Sequence, residues 1–247
     1  MHPFILTVSA VAGTGRMKAK QFLIFPILFV FVQLPAYAQT GVSEICRITE
    51  ADLEAAGSIV TTLHDTLTTI MKDADKLGHK GRYEKVEPVI QNHFNTPLIT
   101  RTVLGGRYWD TLTEAQQNEF IHVFQQLSIG TYADRFDDYD GEQFVELQKN
   151  ALPLRGQCPP PAGREPPAKR ILVKTELRRV NDDPVSLEYL EQYIDGKWYI
   201  ITVIADGVND LSLKRGEYTD VIKNKGFDGL VEDIKTKVRD MENGTTE

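Results

Sequence analysis

The amino-acid sequence predicts an α+β fold, with a helical N-terminal half, an antiparallel sheet of about four strands and C-terminal helices. Three observations carry this reading. Apolar residues recur at steps of three and four from Val60 onward through the first half. From Ile171 to Ile204 they alternate instead, around an Asp195-Gly196 pair that suits a two-residue hairpin turn. After Gly207 the helical spacing returns, with Tyr218, Val221 and Ile222 on one face and Leu230, Ile234, Val238 and Met241 following at steps of four, four and three.

In chain order, Val60, Leu63, Leu67, Ile70, Ala74 and Leu77 form an apolar stripe that predicts a first helix ending at the Gly78…Gly81 break. Tyr83, Val86, Ile90 and Phe94 predict a second helix. Pro88 kinks it or delays its start, because proline lacks a backbone donor and clashes with the preceding turn. Pro97 fits the first turn of a short third helix that stops at Gly105-Gly106. Thr113 and Gln116 make a capping box that opens a long helix, with Phe120, Phe124, Leu127, Tyr132, Phe136 and Tyr139 facing inward. Ile171, Val173, Thr175 and Leu177 alternate along a strand that turns at Asn181-Asp182-Asp183-Pro184. Residues 185–194 and 197–204 then form a hairpin, and Phe144, Val145 and Leu147 supply a fourth, edge strand. Two short amphipathic helices follow, separated at Gly226.

The N-terminus argues for export. Lys18 and Lys20 precede a largely apolar run over residues 22–34, and Ala36-Tyr37-Ala38 closes it with an A-x-A pattern, the order of a secretory signal peptide. The run falls short of the about 20 apolar residues of a membrane-spanning helix, and it contains Pro26 and Gln33. The expected organisation is residues 1–38 as a cleaved signal peptide, with Met17 as an alternative start. Residues 39–247 form one domain with a proline-rich insert over about 153–169. Cleavage removes Arg16, Lys18 and Lys20 and no acidic residue, so the formal charge goes from −7 to −10. Charge therefore draws the mature chain neither to nucleic acid nor to anionic headgroups, and dealings with lipid need an apolar cavity. Secretion permits a disulfide between Cys46 and Cys158 without requiring one, so a bridge and two free thiols both stay open.

Catalytic signatures are absent. The chain has no glycine-rich phosphate loop, no His-Glu-x-x-His and no Gly-x-Ser-x-Gly. Asp138-Tyr139-Asp140-Gly141 hints at a calcium loop, but the EF-hand register puts Phe136 at its first position and Leu147 at its last, and neither ligates. His2, His64, His79, His93 and His122 form no i,i+4 pair and are expected at the surface. Neither cysteine has a His or Cys at ligand spacing. No catalytic residue, metal or cofactor is expected, although a triad assembled in space is left open by sequence.

Three blocks of residues resemble one family. Gly207-Val208-Asn209-Asp210-Leu211-Ser212-Leu213, then Tyr218-Thr219-Asp220-Val221-Ile222 and Lys225-Gly226-Phe227-Asp228-Gly229-Leu230-Val231, are similar to the C-terminal signature of the MlaC family of periplasmic phospholipid-binding proteins, also called toluene-tolerance proteins. Asn209 stands where the family turn has serine. Val103-Leu104-Gly105-Gly106-Arg107-Tyr108-Trp109, with Leu112-Thr113-x-x-Gln116 and Phe120-x-x-x-Phe124, resembles the family's central block. Gly196-Lys197-Trp198-Tyr199-Ile200 resembles its Gly-x-Trp hairpin. Asp-Leu after the turn, with Arg-x-x-Tyr following, is closer to the hopanoid-associated HpnM branch.

The resemblance implies a periplasmic carrier, not an enzyme, that takes a phospholipid or hopanoid by its apolar part between the inner and outer membranes. It implies a lipid cavity between sheet and helices. Candidate wall residues are Leu104, Tyr108, Trp109, Phe124, Leu127, Val173, Leu187, Trp198, Ile200, Tyr218 and Ile222, each of which also reads as ordinary core. Partners implied are an inner-membrane lipid transporter, MCE-type or RND-type, and an outer-membrane lipoprotein complex. Two rivals stand beside this reading. A lipid-metabolising enzyme predicts a polar cluster inside the cavity, and a ligand-free scaffold predicts a solid core.

Overall fold

Helix α1 (Glu50–Lys72) starts where Thr49 and Asp52 satisfy each other's backbone N–H groups in a capping box, with Thr49 N donating to Asp52 Oδ2 over 2.8 Å. The computed structural model describes residues 46–180 and 182–245, so the signal-peptide reading and the Asn181 turn position lie outside the described residues. Asp73 leaves the helical path (φ −105°, ψ 16°) and α2 (Ala74–His93) begins at once. The stripe from Val60 to Leu77 therefore crosses a helix boundary rather than running along one helix. The chain breaks again at Gly78 inside α2, and Pro88 lies within α2 rather than at its start.

Asn95 caps α3 (Thr96–Leu104), and a single turn, α4 (Gly106–Trp109), follows. Helix α5 (Glu114–Arg135) opens on the expected Thr113–Gln116 box. Phe136 is its C-cap and Tyr139 lies beyond its end, so the inward stripe is shorter than the sequence suggests.

The sheet is a meander in chain order: β1 (Gln143–Ala151), β2 (Arg170–Arg178), β3 (Val185–Ile194), β4 (Lys197–Ala205) and β5 (Val208–Asn209), all antiparallel. The fifth strand, not foreseen, is a two-residue addition to the end of β4. Asp195 and Gly196 make the β3–β4 turn with φ values of 49° and 85°. From Asn209, whose side chain accepts from Ser212 N, α6 (Asp210–Glu242) runs to its C-cap at Asn243 and is interrupted at Gly226.

Two apolar cores result. The first packs Ala56, Val60, Leu63 and Ile70 of α1, with Val86 and Ile90 of α2, onto Ile171, Val173, Tyr189, Trp198 and Ile200 on one sheet face. The second is helical and joins Val103, Phe120, Phe124, Leu127, Tyr218, Leu230 and Ile234. Phe94 packs against both. Helix α5 also belongs to both, through Phe120 to Leu127 in one and Ile129 and Tyr132 in the other.

Two expectations change here. His64 is a core residue, not a surface one, because it follows Val60 by one helical turn and faces the sheet, where Nε2 meets the Tyr189 hydroxyl at 2.9 Å. Cys46 and Cys158, left open by sequence, are joined in a disulfide with Cα atoms 5.8 Å apart. This bond ties the segment before α1 to the proline-rich stretch between β1 and β2.

Candidate functional site

Side chains alternate across a strand, so the face of the sheet opposite the first core presents Arg170, Leu190 and Gln192. In the β3–β4 ladder, Leu190 pairs with Thr202 and Glu191 with Ile200, leaving Ile201 unpaired. A bulge of this kind bends its strand. Over this floor lies a cavity of about 310 Å³. One wall is α3, through Leu98 and Thr102, and the other is the start of α6, through Asn209, Leu211, Ser212 and Arg215. The lining mixes Leu98, Leu190, Ile201 and Leu211 with two guanidinium groups and several neutral polar side chains. A second cavity, about 270 Å³, lies within α6 beside its Gly226 break and is lined by Tyr218, Val221, Leu230 and the Lys237–Glu217 pair.

The first cavity lies between the sheet and the helices α3 and α6, and its lining includes none of the wall residues that the sequence nominated. Leu104, Trp109, Phe124, Leu127 and Tyr218 are buried in the second core, and Tyr108 and Ile222 pack against it. Val173, Trp198 and Ile200 are buried in the first core, with Leu187 packed on it. None of these lines the larger cavity, and Tyr218 faces the smaller one. Selection by size and apolarity finds core. The lining residues are polar or medium apolar side chains, with Thr102, Ser212 and Arg215 exposed on the helices and Arg170, Leu190 and Gln192 half-buried on a strand face that reads as solvated. One signal did exist, because Arg215 opens the Arg-x-x-Tyr element of the C-terminal block.

Glu191 and His64, both strongly perturbed, lie in the first core, and burial also raises the Tyr218 hydroxyl in the second core; none of the three lines the larger cavity. Burial pushes the Glu191 carboxyl up to about 9 and the His64 imidazole down to about 4, so both are neutral at pH 7. The His64 ring stacks on Phe144 at 4.0 Å. Among the described residues no group of three or more His, Cys, Asp or Glu side chains is placed to hold a metal, and no helix is long and apolar enough to cross a membrane. The cavity lining is partly polar, the feature that the enzyme rival predicts, but its polar groups are two guanidiniums, amides and hydroxyls, with no Asp, Glu, His, Cys or Lys side chain among them.

Comparison with known proteins agrees with this architecture. The phospholipid-binding protein of Ralstonia solanacearum, solved in complex with a phospholipid, is similar in fold at a TM-score of 0.57 and 21% identity, over 76% of this chain and 98% of that one. The profile of the MlaC protein family matches residues 61–236, which is most of the chain. On that match, with its helices, antiparallel sheet and C-terminal helix in the order described, the chain belongs to the MlaC family.

Proposed function

We propose that this protein is a periplasmic carrier that binds a membrane lipid by its apolar part and shuttles it between the inner and outer membranes. The observation that carries this reading is the cavity between the sheet and the α3 and α6 walls, in a chain of the MlaC family. The fold it shares with a protein solved in complex with a phospholipid supports a phospholipid as cargo. The physical need for enclosure is large. Each buried CH₂ contributes roughly 0.8 kcal/mol, so a lipid with two long chains does not cross water unshielded.

The cavity volume of about 310 Å³ lies at the small end of ligand pockets, which run from about 300 to 1,000 Å³. A two-chain lipid needs more room. Loading therefore requires α3 and the start of α6 to move off the sheet face, and the glycine turns Gly105 and Gly207 flank those walls. Transfer on this reading is binding followed by handover, with no chemistry. The signal-peptide pattern supports a periplasmic location. The partners that fit are an inner-membrane lipid transporter, MCE-type or RND-type, and an outer-membrane lipoprotein complex.

A hopanoid-specific carrier is the second reading, favoured by the Asp210-Leu211 and Arg215-x-x-Tyr218 variant of the C-terminal block. Native mass spectrometry of protein purified without detergent, followed by lipid extraction, separates the two. Near-stoichiometric phospholipid supports the first reading and a triterpenoid the second. Protein that carries no lipid and takes up none after delipidation would overturn both.

A further inference from the structure

We propose that the larger cavity selects amphiphiles whose polar end is anionic, a phosphate or carboxylate held by Arg170 and Arg215 while the hydrocarbon lies along Leu98, Leu190, Ile201 and Leu211. The proposal rests on the carrier reading and narrows its cargo. It starts from an imbalance of charge. The chain carries a formal charge of −7, yet the cavity lining contains two arginines and no carboxylate.

Neither arginine is neutralised. Arg170 Nε donates to Gln192 Oε1 over 3.1 Å, a neutral contact that fixes the guanidinium and leaves its outer N–H groups free of any carboxylate among the described residues. Arg215 stands out more sharply on its own helix. Along α6, Lys214 pairs with Asp210, Lys223 with Asp220, Lys225 with Asp233, Lys235 with Glu119, Lys237 with Glu217 and Arg239 with Glu232. Among the described residues Arg215 is the one cation of α6 with no such partner, and it is the one that lines the cavity. The nearest acid in sequence, Glu217, is engaged by Lys237 at 2.6 Å, and Asp210, one turn and a half earlier, by Lys214 at 3.5 Å.

The Arg215 guanidinium is also seated. It lies against Gly105 so closely that a Cβ there would come within 2.6 Å of Nη2. Gly105 has φ 77°, a conformation that resists replacement by a side-chain-bearing residue, so this close approach is built into the α3–α4 turn. A guanidinium presents a planar fork of donors that matches phosphate or carboxylate oxygens in pairs, and Arg215, an exposed residue, keeps that fork accessible to a ligand. An uncharged lipid leaves both forks without a counter-charge.

The test titrates delipidated protein with two water-soluble lipids of the same short diacyl chains, one with a phosphatidylglycerol and one with an uncharged glycerol headgroup, and with inorganic phosphate. Calorimetry at fixed ionic strength reads the affinities. We expect the anionic lipid to bind at least about tenfold more tightly than the uncharged one, the scale of hydrogen bonds to charged groups. Arg170→Gln and Arg215→Gln should each lower that ratio several-fold, and Arg215→Lys should restore it only in part. Inorganic phosphate should bind far more weakly than the anionic lipid. Equal affinity for the two lipids in the unmodified protein overturns the proposal even if a variant fails to fold. So does a ratio retained in both glutamine variants, or phosphate binding as tightly as the lipid. Binding of neither lipid defeats the carrier reading itself.

Discussion

On β3 the Glu191 side chain enters the apolar space of the first core between Ile171 and Ile200 on the neighbouring strands, and neither carboxyl oxygen has a hydrogen-bond partner among the described residues. Its pKa of about 9, against an ordinary 4.5, means that folding keeps a proton that the unfolded chain releases. Its contribution to stability is full below pH 4.5 and is lost as pH rises toward 9. His64 acts in the opposite sense. With a pKa of about 4 against 6.5, its contribution is present above pH 6.5 and lost as pH falls toward 4. Between pH 4.5 and 6.5 the two slopes oppose each other, and above 6.5 only that of Glu191 remains. We expect urea midpoints to fall from pH 6.5 toward 9, and Glu191→Gln to remove that fall. An unchanged slope in the variant would show that other groups cause it. Trp198 presents a second residue-scale case. It is 3% exposed and its Nε1 donates to Asp52 Oδ1 over 3.3 Å, which links β4 to the cap of α1. Trp198→Ala should cost about 3–5 kcal/mol, far more than His122→Ala on the surface. Equal melting temperatures for the two variants would contradict this packing.

At the scale of elements, Gly226 divides α6 with φ 74° and ψ −177°, a region in which side-chain-bearing residues are strained by about 1–3 kcal/mol. The break redirects the helix so that Phe227, Leu230 and Val231 return to the core that Tyr218 already occupies. Gly226→Ala should therefore lower stability by about 1–3 kcal/mol, measured by urea unfolding, and an unaffected midpoint would mean that the bend is set elsewhere. This break was legible in sequence, because Gly226 interrupts two apolar stripes. So were the Thr113–Gln116 box and the Asp195-Gly196 turn, where local chemistry dictates local geometry. The α1–α2 boundary was not. Ala74 and Leu77 continue the apolar rhythm across Asp73, and the interruption lies in backbone angles that no residue pattern there announces. The cavity escaped for a related reason. Arg170, Gln192 and Thr202 look like a solvated strand face until α3 and α6 cover them, and that cover is tertiary.

For the whole molecule, the Cys46–Cys158 bond joins positions 112 residues apart, and the chain-entropy account gives such a loop up to about 4–5 kcal/mol. Reduction should lower the melting temperature while cargo is retained, since neither cysteine lines the cavity. Thiol titration of the unfolded, unreduced protein checks the bond directly, and two reactive thiols would refute it. The two cores raise the question of whether they come apart separately. Helix α5 supplies side chains to both, so losing either core strips α5 of half its support. Calorimetry should accordingly show one unfolding endotherm rather than two, with van't Hoff and calorimetric enthalpies in agreement, and two resolved peaks would count against this coupling. A molecule that opens to admit a ligand must yield somewhere without melting, and α5 is the part that cannot take part in that motion. Its amide protons should outlast those of α3 and the first turns of α6 in deuterium exchange, marking a rigid spine about which the walls of the cavity breathe.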